Sequence, residues 1–339
     1  MSYFSNTYRL GQCCQFYNTG LAKLYNPGTV TKTYAEKSGG KEKVQNKALD
    51  NALKLHNVLK EYFSKQPEHL RSFRISSDLF PCFTLDIAKE WYEEIMPKLS
   101  AIMKRAGDEA KKNNIRLSTH PGQYTVLGSN NPNVVTNSVK DLEYHALYGK
   151  LMDLPAKDFV MNIHLQGLYG GKHEDGIKRF ATHFHYLSDY AQQCLAVENE
   201  DKPKSGYDIH HVLELCSRIP TRATLDVHHY ECMRQKDCEY PSIRDDFFVS
   251  AVNTWKDTRP LFHVSQTIIN TDGSDGSRMN QHSDILHDRD RLAKLLPLLE
   301  YADFEVEAKN KEVAVQDAFL FLKEEAHYSG EPITAKTFS

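Results

Sequence analysis

The sequence predicts an α/β fold: a single-domain (β/α)8 barrel spanning residues 1–339. Three observations lead there. Eight short apolar runs alternate with long amphipathic stretches, the runs read as buried on both faces, and most of them end in polar side chains.

The runs lie at residues 8–13, 72–76, 115–120, 159–164, 195–200, 223–228, 260–265 and 304–307. In the fourth, Phe159, Val160, Met161 and Ile163 are nearly continuous apolar, as a parallel strand covered on both faces requires. The amphipathic stretches lie at 43–63, 88–113, 134–152, 174–193, 208–217, 242–254, 290–299 and 312–326. In the first, Ala48, Ala52, Leu55 and Leu59 make one stripe at helical spacing. An open doubly wound sheet is the rival architecture, but the turn after the first run, GQCCQFYNTG, carries no dinucleotide fingerprint. Two long polar loops interrupt the pattern, at 19–40 and 270–284. In a barrel both fall on the catalytic face, and loops of this length are usually functional.

Composition narrows the classes. With 40% hydrophobic residues, 18 Tyr and 16 Phe the chain can build a core, which excludes intrinsic disorder. A net charge of −3 does not announce nucleic acid, although a near-neutral total can hide a basic face. The 7 cysteines include no CxxC pair, so neither a thiolate zinc site nor a redox dithiol is indicated. No targeting segment opens the sequence and no apolar run reaches ~18 residues. The expectation is an intracellular protein, cytoplasmic and nucleoid-associated if bacterial, with no membrane contact and no obligate protein partner.

The 16 histidines point to metal. In a barrel, the trailing ends of the strands converge on one mouth. Read in order, those ends offer His120, His164, Glu198, Asp226, a histidine at 228 or 229, His263 and Glu307, with His282 in the loop after the seventh strand. Any one of these could be a packing or hydrogen-bonding residue. Together, five imidazoles and three carboxylates at one mouth need cations. The set is too large for one ion, so two or three divalent ions are expected, with carboxylates bridging them. Spacing alone does not choose between His228 and His229.

The segments RLGQCC, RISSDLFP, STHPGQY, NIHLQGLYGGK, VENED, LDVHH, HVSQ, QHSD and EVEAK resemble the motifs of the UV damage endonuclease family over about residues 8–312. The resemblance implies a TIM barrel related to endonuclease IV. It also implies a metal-dependent DNA repair hydrolase that nicks double-stranded DNA 5′ of pyrimidine dimers and 6-4 photoproducts, and of abasic sites as a further substrate. The family's ligands map onto His120, His164, Glu198, Asp226, His229, His263, His282 and Glu307. Its D-x-x-H spacing selects His229, and His164, Glu198, Asp226 and His229 become the expected catalytic group. The resemblance favours manganese, with zinc as the alternative; the lack of clustered thiolates disfavours softer metals. Gln123 and Tyr124 are implied as a probe inserted at the lesion. Two positions depart from the family: Gln12 stands where a lesion-contacting tyrosine is common, and Leu261 where a lysine is common. These put lesion preference and pH behaviour in question.

A sugar isomerase of the xylose isomerase type, on the same barrel, is the rival reading. It needs a closed polar pocket, whereas DNA needs an open mouth with basic flanks. Lys172, Lys202, Lys204, Arg278 and Arg289 in the loops favour DNA. A lesion-binding protein without catalysis is a second rival, opposed by the complete ligand set.

Overall fold

The computed structural model describes residues 7–203, 206–234, 239–270 and 279–329. Lys204, Cys238, Arg278 and most of the loop expected at 270–284 lie outside the described residues. Eight strands follow one another: β1 (Leu10–Cys13), β2 (Ser72–Ile75), β3 (Arg116–Thr119), β4 (Phe159–His164), β5 (Leu195–Glu198), β6 (Arg222–Thr224), β7 (Leu261–Val264) and β8 (Asp303–Val306). All pairings are parallel, and neighbours run from β6 down to β1, then β8 and β7. The seam between β6 and β7 is closed thinly. A single parallel bridge joins Asp226 to His263, the His263 N–H donates to Leu225 O at 3.0 Å, and the Thr224 hydroxyl donates to Leu261 O at 3.2 Å. The predicted TIM barrel is the observed architecture.

The helices are α1 (Thr19–Leu24), α2 (Lys32–Ala35), α3 (Gly40–Glu61), α4 (Lys89–Lys112), α5 (Pro132–Leu151), α6 (His173–Phe184), α7 (Asp189–Cys194), α8 (Ile209–Arg218), α9 (Val227–Arg234), α10 (Asp246–Asn253), α11 (Arg289–Ala293), α12 (Leu296–Leu299) and α13 (Lys311–Ser329). The stripe of Ala48, Ala52, Leu55 and Leu59 on α3 is fully buried. Each leucine buried in this way contributes about 1.5–3 kcal/mol. None of the described helices is long and apolar enough to cross a membrane.

Three expectations need correction. The stretch 19–40 is not all loop: Asn18 and Thr31 accept backbone N–H groups at the starts of α1 and α2, the preferred chemistry of helix N-caps. The helix expected at 174–193 is two helices, because Ser188 caps a fresh start at α7. Strand six stops at Thr224, and α9 begins three residues later.

Inside the barrel, polar side chains sit in layers. At the floor Asp303 is fully buried among arginines. It accepts from the Arg9 backbone N–H at 2.8 Å, from the Arg116 guanidinium at 2.7 Å and from the Arg259 guanidinium at 2.7 Å. Burial alone would raise this carboxyl; Arg259, Arg116 and Arg9 outweigh it and hold it below its ordinary range.

At the mouth, the loops after β3 and β4 dock backbone to backbone. A Cβ at Gly128 would strike Gln166 O, and one at Gly167, whose φ is +112°, would strike Gly128 O. Both positions therefore require glycine. Arg179 fastens the contact, donating to Gly128 O at 2.8 Å and to Gly167 O.

Candidate metal centre

Glu198, the last residue of β5, is the hub. It is fully buried, which would destabilise an isolated carboxylate by several kcal/mol. Four imidazoles surround it. His120 Nε2 lies 3.3 Å from Oε2, His263 Nδ1 3.0 Å from Oε2, His229 Nδ1 3.2 Å from Oε1 and His164 Nε2 3.5 Å from Oε1. The Asn162 amide also donates to Oε2. Burial opposes ionisation, but His263, His164 and the hydrogen bond from His120 hold the carboxyl well below its usual range.

Around this hub the other expected ligands fall into place. Donor atoms of His120, His164 and Glu198 lie within 4.8 Å of one another, as do those of Glu198, Asp226 and His263. Two ion-sized groups therefore share one carboxylate, the arrangement of a bridged pair. Glu307 extends the cluster, with Oε1 3.5 Å from His263 Nδ1, and His282 Nδ1 lies 3.6 Å from Glu307 Oε2. An antiparallel bridge between Thr267 and His282 folds the seventh loop back over the mouth.

A helix cap places His228 and His229 differently. Asp226 accepts the His229 backbone N–H at 2.7 Å, and the Tyr230 N–H donates to Asp226 O at 3.0 Å. This is an N-cap with its N3 residue. The D-x-x-H spacing thus belongs to the first turn of α9 and not to a strand. His229 turns toward Glu198, while the Nε2 of His228 lies 3.8 Å from Cys232 Sγ. His228 is packed, and burial pushes its imidazole down to about 3.

Ring orientation follows from the second nitrogen. His120 Nδ1–H donates to Pro121 O at 2.8 Å, and His229 Nδ1–H donates to Asn199 O at 2.9 Å. Each bond leaves Nε2 with the lone pair that a metal uses. At His263, as at His229, Nδ1 is the nitrogen nearest Glu198, but at His263 no backbone carbonyl among the described residues shares it.

The site asks for cations. Glu198 Oε1, Asp226 Oδ2 and His263 Nδ1 are buried and have no hydrogen-bond partner, which is rare for buried polar atoms. Burial raises the Asp226 carboxyl against the pull of His229, and Glu198 and Glu307 raise it further. His263 is pushed up to about 10: burial opposes its protonation, but Glu198 beside it prevails. Oxygen and imidazole donors without thiolates fit divalent zinc or manganese.

Several residues of this centre are absent from the expected set. Arg74 on β2 is buried, donates to Glu305 at 2.6 Å through Nε, and pairs with Glu307. Glu305 lies behind His263, and the Ser118 hydroxyl donates to it. Asn199 braces Asp226, whose N–H donates to its Oδ1 at 2.9 Å. An arginine inside an otherwise apolar strand, as in RISS, was the readable signal for Arg74.

The expected DNA contacts fall into exposed and buried positions. Tyr124 is 84% exposed on the loop after β3, and Gln123 next to it is also exposed. Gln12 is buried, its amide donating to Gln15 O at 2.9 Å. Lys172 and Lys202 are exposed on loops after β4 and β5, while Arg289 is half-buried and paired with Asp317. Leu261 lies on the same strand as His263, two residues earlier, and is buried.

The family described as UV-endonuclease UvdE matches residues 8–334. A UV-damage endonuclease of Neurospora crassa is 31% identical over 289 residues, covering 81% of this chain and 41% of that protein. The chain thus spans about two-fifths of that relative's length. A UV DNA damage endonuclease of Nostoc sp. is 30% identical over 255 residues, 74% of this chain and 71% of that one. Among solved structures, the crystal structure of SacUVDE superposes with a TM-score of 0.76 at 26% identity, over 94% of this chain and 98% of that one. Endonuclease IV from Thermus thermophilus shares the fold, with a TM-score of 0.53 at 13% identity over 81% of this chain and 94% of that one. With the family match running nearly end to end, the chain belongs to the UV-endonuclease UvdE family.

Proposed function

We propose that this protein is a metal-dependent repair endonuclease that cuts one strand of duplex DNA on the 5′ side of a UV photoproduct. It leaves a 3′-hydroxyl and a 5′-phosphate, with abasic sites as a further substrate. One observation carries the reading: seven residues, at positions 120, 164, 226, 229, 263, 282 and 307, form one connected cluster with the buried Glu198 in a chain of this family.

His120, His164 and Glu198 would hold one divalent ion, and Glu198, Asp226 and His263 a second; His229, Glu307 and His282 complete the set around two or three ions, with Mn²⁺ favoured over Zn²⁺. Such ions supply a nucleophile at neutral pH and offset the charge that develops on phosphate. The chain's own side chains do the rest. Glu198, common to both groups, would hold the two ions next to one another. Asn162 and Asn199 hold Glu198 and Asp226 in place. Tyr124 and Gln123 stand outside the ion cluster, where an aromatic ring and an amide can enter the base stack and pair with an orphaned base. Lys172 and Lys202, exposed on the loops after β4 and β5, would be available to backbone phosphates.

The test is a nicking assay on a duplex carrying one defined pyrimidine dimer, with Mn²⁺, Zn²⁺ and Mg²⁺ added singly to chelated protein. Ion-dependent cleavage 5′ of the dimer is expected. Undiminished cleavage after chelation would overturn the metal dependence. Turnover of an aldose panel without any nicking would favour the isomerase reading.

A further inference from the structure

His120 and His229 each place Nδ1 on a backbone carbonyl. His263 has no such carbonyl. Its Nδ1 faces Glu198 at 3.0 Å, Glu307 at 3.5 Å and Asp226 at 4.0 Å. Its Nε2 faces away from that cluster, toward two side chains: the Arg74 guanidinium at 2.8 Å and Glu305 Oε2 at 3.3 Å. A neutral imidazole that gives Nδ1 to an ion carries its proton on Nε2. Arginine has no acceptor, so of these two neighbours only Glu305 can receive that proton.

We infer that Glu305 is a positioning residue for this metal centre: its carboxylate accepts the Nε2–H of His263 and so turns the Nδ1 lone pair toward Glu198 and Asp226. Glu305 is itself over-determined. Ser118 donates to Oε1, Arg74 donates to Oε2 at 2.6 Å through Nε, and the side chain is buried. It lies on β8 two residues before Glu307 and therefore on the same face of the strand. For Nε2 to carry a proton, the 2.8 Å contact from Arg74 would have to open, and Arg74 would keep Glu305 and Glu307 as anchors. Arg74 then fixes the acceptor instead of competing for it. The pairing is a carboxylate–histidine–metal relay, the arrangement that sets tautomer and ring angle at many metal sites. It rests on the reading of His263 as a ligand.

Two measurements separate the inference from that reading and from a plain ion pair between Arg74 and Glu305. Equilibrium dialysis of the wild-type protein with Zn²⁺ tests the parent reading: no bound ion would remove the metal centre altogether. In the double variant Arg74→Met/Glu305→Met both partners of that pair leave together, and Glu307 keeps His263 and His282 as neighbours. Zn²⁺ affinity is expected to fall about 10–100-fold at unchanged far-UV circular dichroism. Wild-type affinity would show that Glu305 only neutralises Arg74. The second measurement needs no folded variant of the pair. In ¹⁵N-histidine-labelled, Zn²⁺-loaded wild type, the signals of His263 are those missing from His263→Gln. A proton on Nε2 and none on Nδ1 is expected; the opposite tautomer would overturn the inference.

Discussion

The floor and the mouth of the barrel solve the same electrostatic problem in opposite ways. At the floor, one buried carboxylate, Asp303, meets Arg9, Arg116 and Arg259. At the mouth, Glu198, Asp226, Glu305 and Glu307 gather with Arg74 as the cation bonded among them, and imidazoles in place of arginines. The floor is charge-compensated by the chain. The mouth leaves a carboxylate oxygen of Glu198 and of Asp226, and a nitrogen of His263, without hydrogen bonds. A chain able to supply three arginines to one aspartate has the means to neutralise its buried acids. The mouth leaves its acids to imidazoles and one arginine, the setting in which the proposed metal ions would add the remaining charge.

The comparison can be broken most forcefully at Glu198. Glu198→Gln takes the shared charge from both ion groups, and nicking should fall by about 10³-fold or more, the scale of losing one electrostatic group at a reacting centre. The loss should appear in kcat together with bound metal, measured by single-turnover kinetics and elemental analysis. Full activity with unchanged metal would remove Glu198 from the centre.

At the floor the expected loss is of stability alone. Asp303→Asn leaves three arginines facing an uncharged partner, and breaking such a buried pair costs about 3–5 kcal/mol. Chemical denaturation should show that loss while bound metal per folded chain stays unchanged. Acid tests the same contact. Asp303 is held below its unfolded value of about 3.9, so its contribution is complete above that value. It is lost as pH falls through the lower folded value. The acid limb of stability should therefore flatten in Asp303→Asn relative to wild type; parallel limbs would show that the arginines do not depend on this carboxylate.

Tyr124→Ala probes neither ion cluster nor floor. Loss of a stacking ring is worth about 1–3 kcal/mol per base, so cleavage of dimer-bearing duplex should weaken about 10- to 100-fold with metal content intact. Equal loss of metal and activity would make the loop structural. The smallest effect is expected at Leu261, which lies on β7 between the floor and the mouth, beside Asp303 in register and two residues before His263. Leu261→Lys should keep bound metal and displace the pH–rate profile, because the new amine titrates near the cluster. Superimposable profiles on dimer and abasic substrates would mark the position as packing.

Much of this was legible in the residues, and the exceptions share a cause. Barrel strands announce themselves by buried apolar runs, and their last polar residues pointed to the mouth, so His120, His164, Glu198, His263 and Glu307 could be read in order. What failed was the handover from strand to helix at Asp226. An aspartate after Thr224 and Leu225 looks like the end of a strand, but its carboxylate caps α9, and His229 reaches the cluster from a helical turn. The supporting residues were missed for a different reason. Arg74, Asn162 and Glu305 lie one or two positions inside their strand ends, and period-two alternation places side chains there in the interior too. A reading confined to terminal residues passes over the layer that braces the ligands. The turns inside 19–40 and the break at Ser188 were visible as capping residues, but a polar composition outweighed them.

The backbone-to-backbone seam at Gly128 and Gly167, with Arg179 across it, has a mechanical consequence. An exposed aromatic on a free loop would surrender its disorder at the moment it meets DNA, and the affinity would suffer for every residue so frozen. Here the loop that carries Tyr124 is braced at its far end against the loop after β4, so that much of its freedom is already lost when the chain folds. An alanine at Gly128 would force the two loops apart while leaving Tyr124 and every ligand in the sequence. The ring would remain, but as a tethered side chain in place of a fixed tooth. The seam is thus a stiffness element, and any lesion discrimination of the proposed endonuclease should depend on two glycines that lie apart from Tyr124.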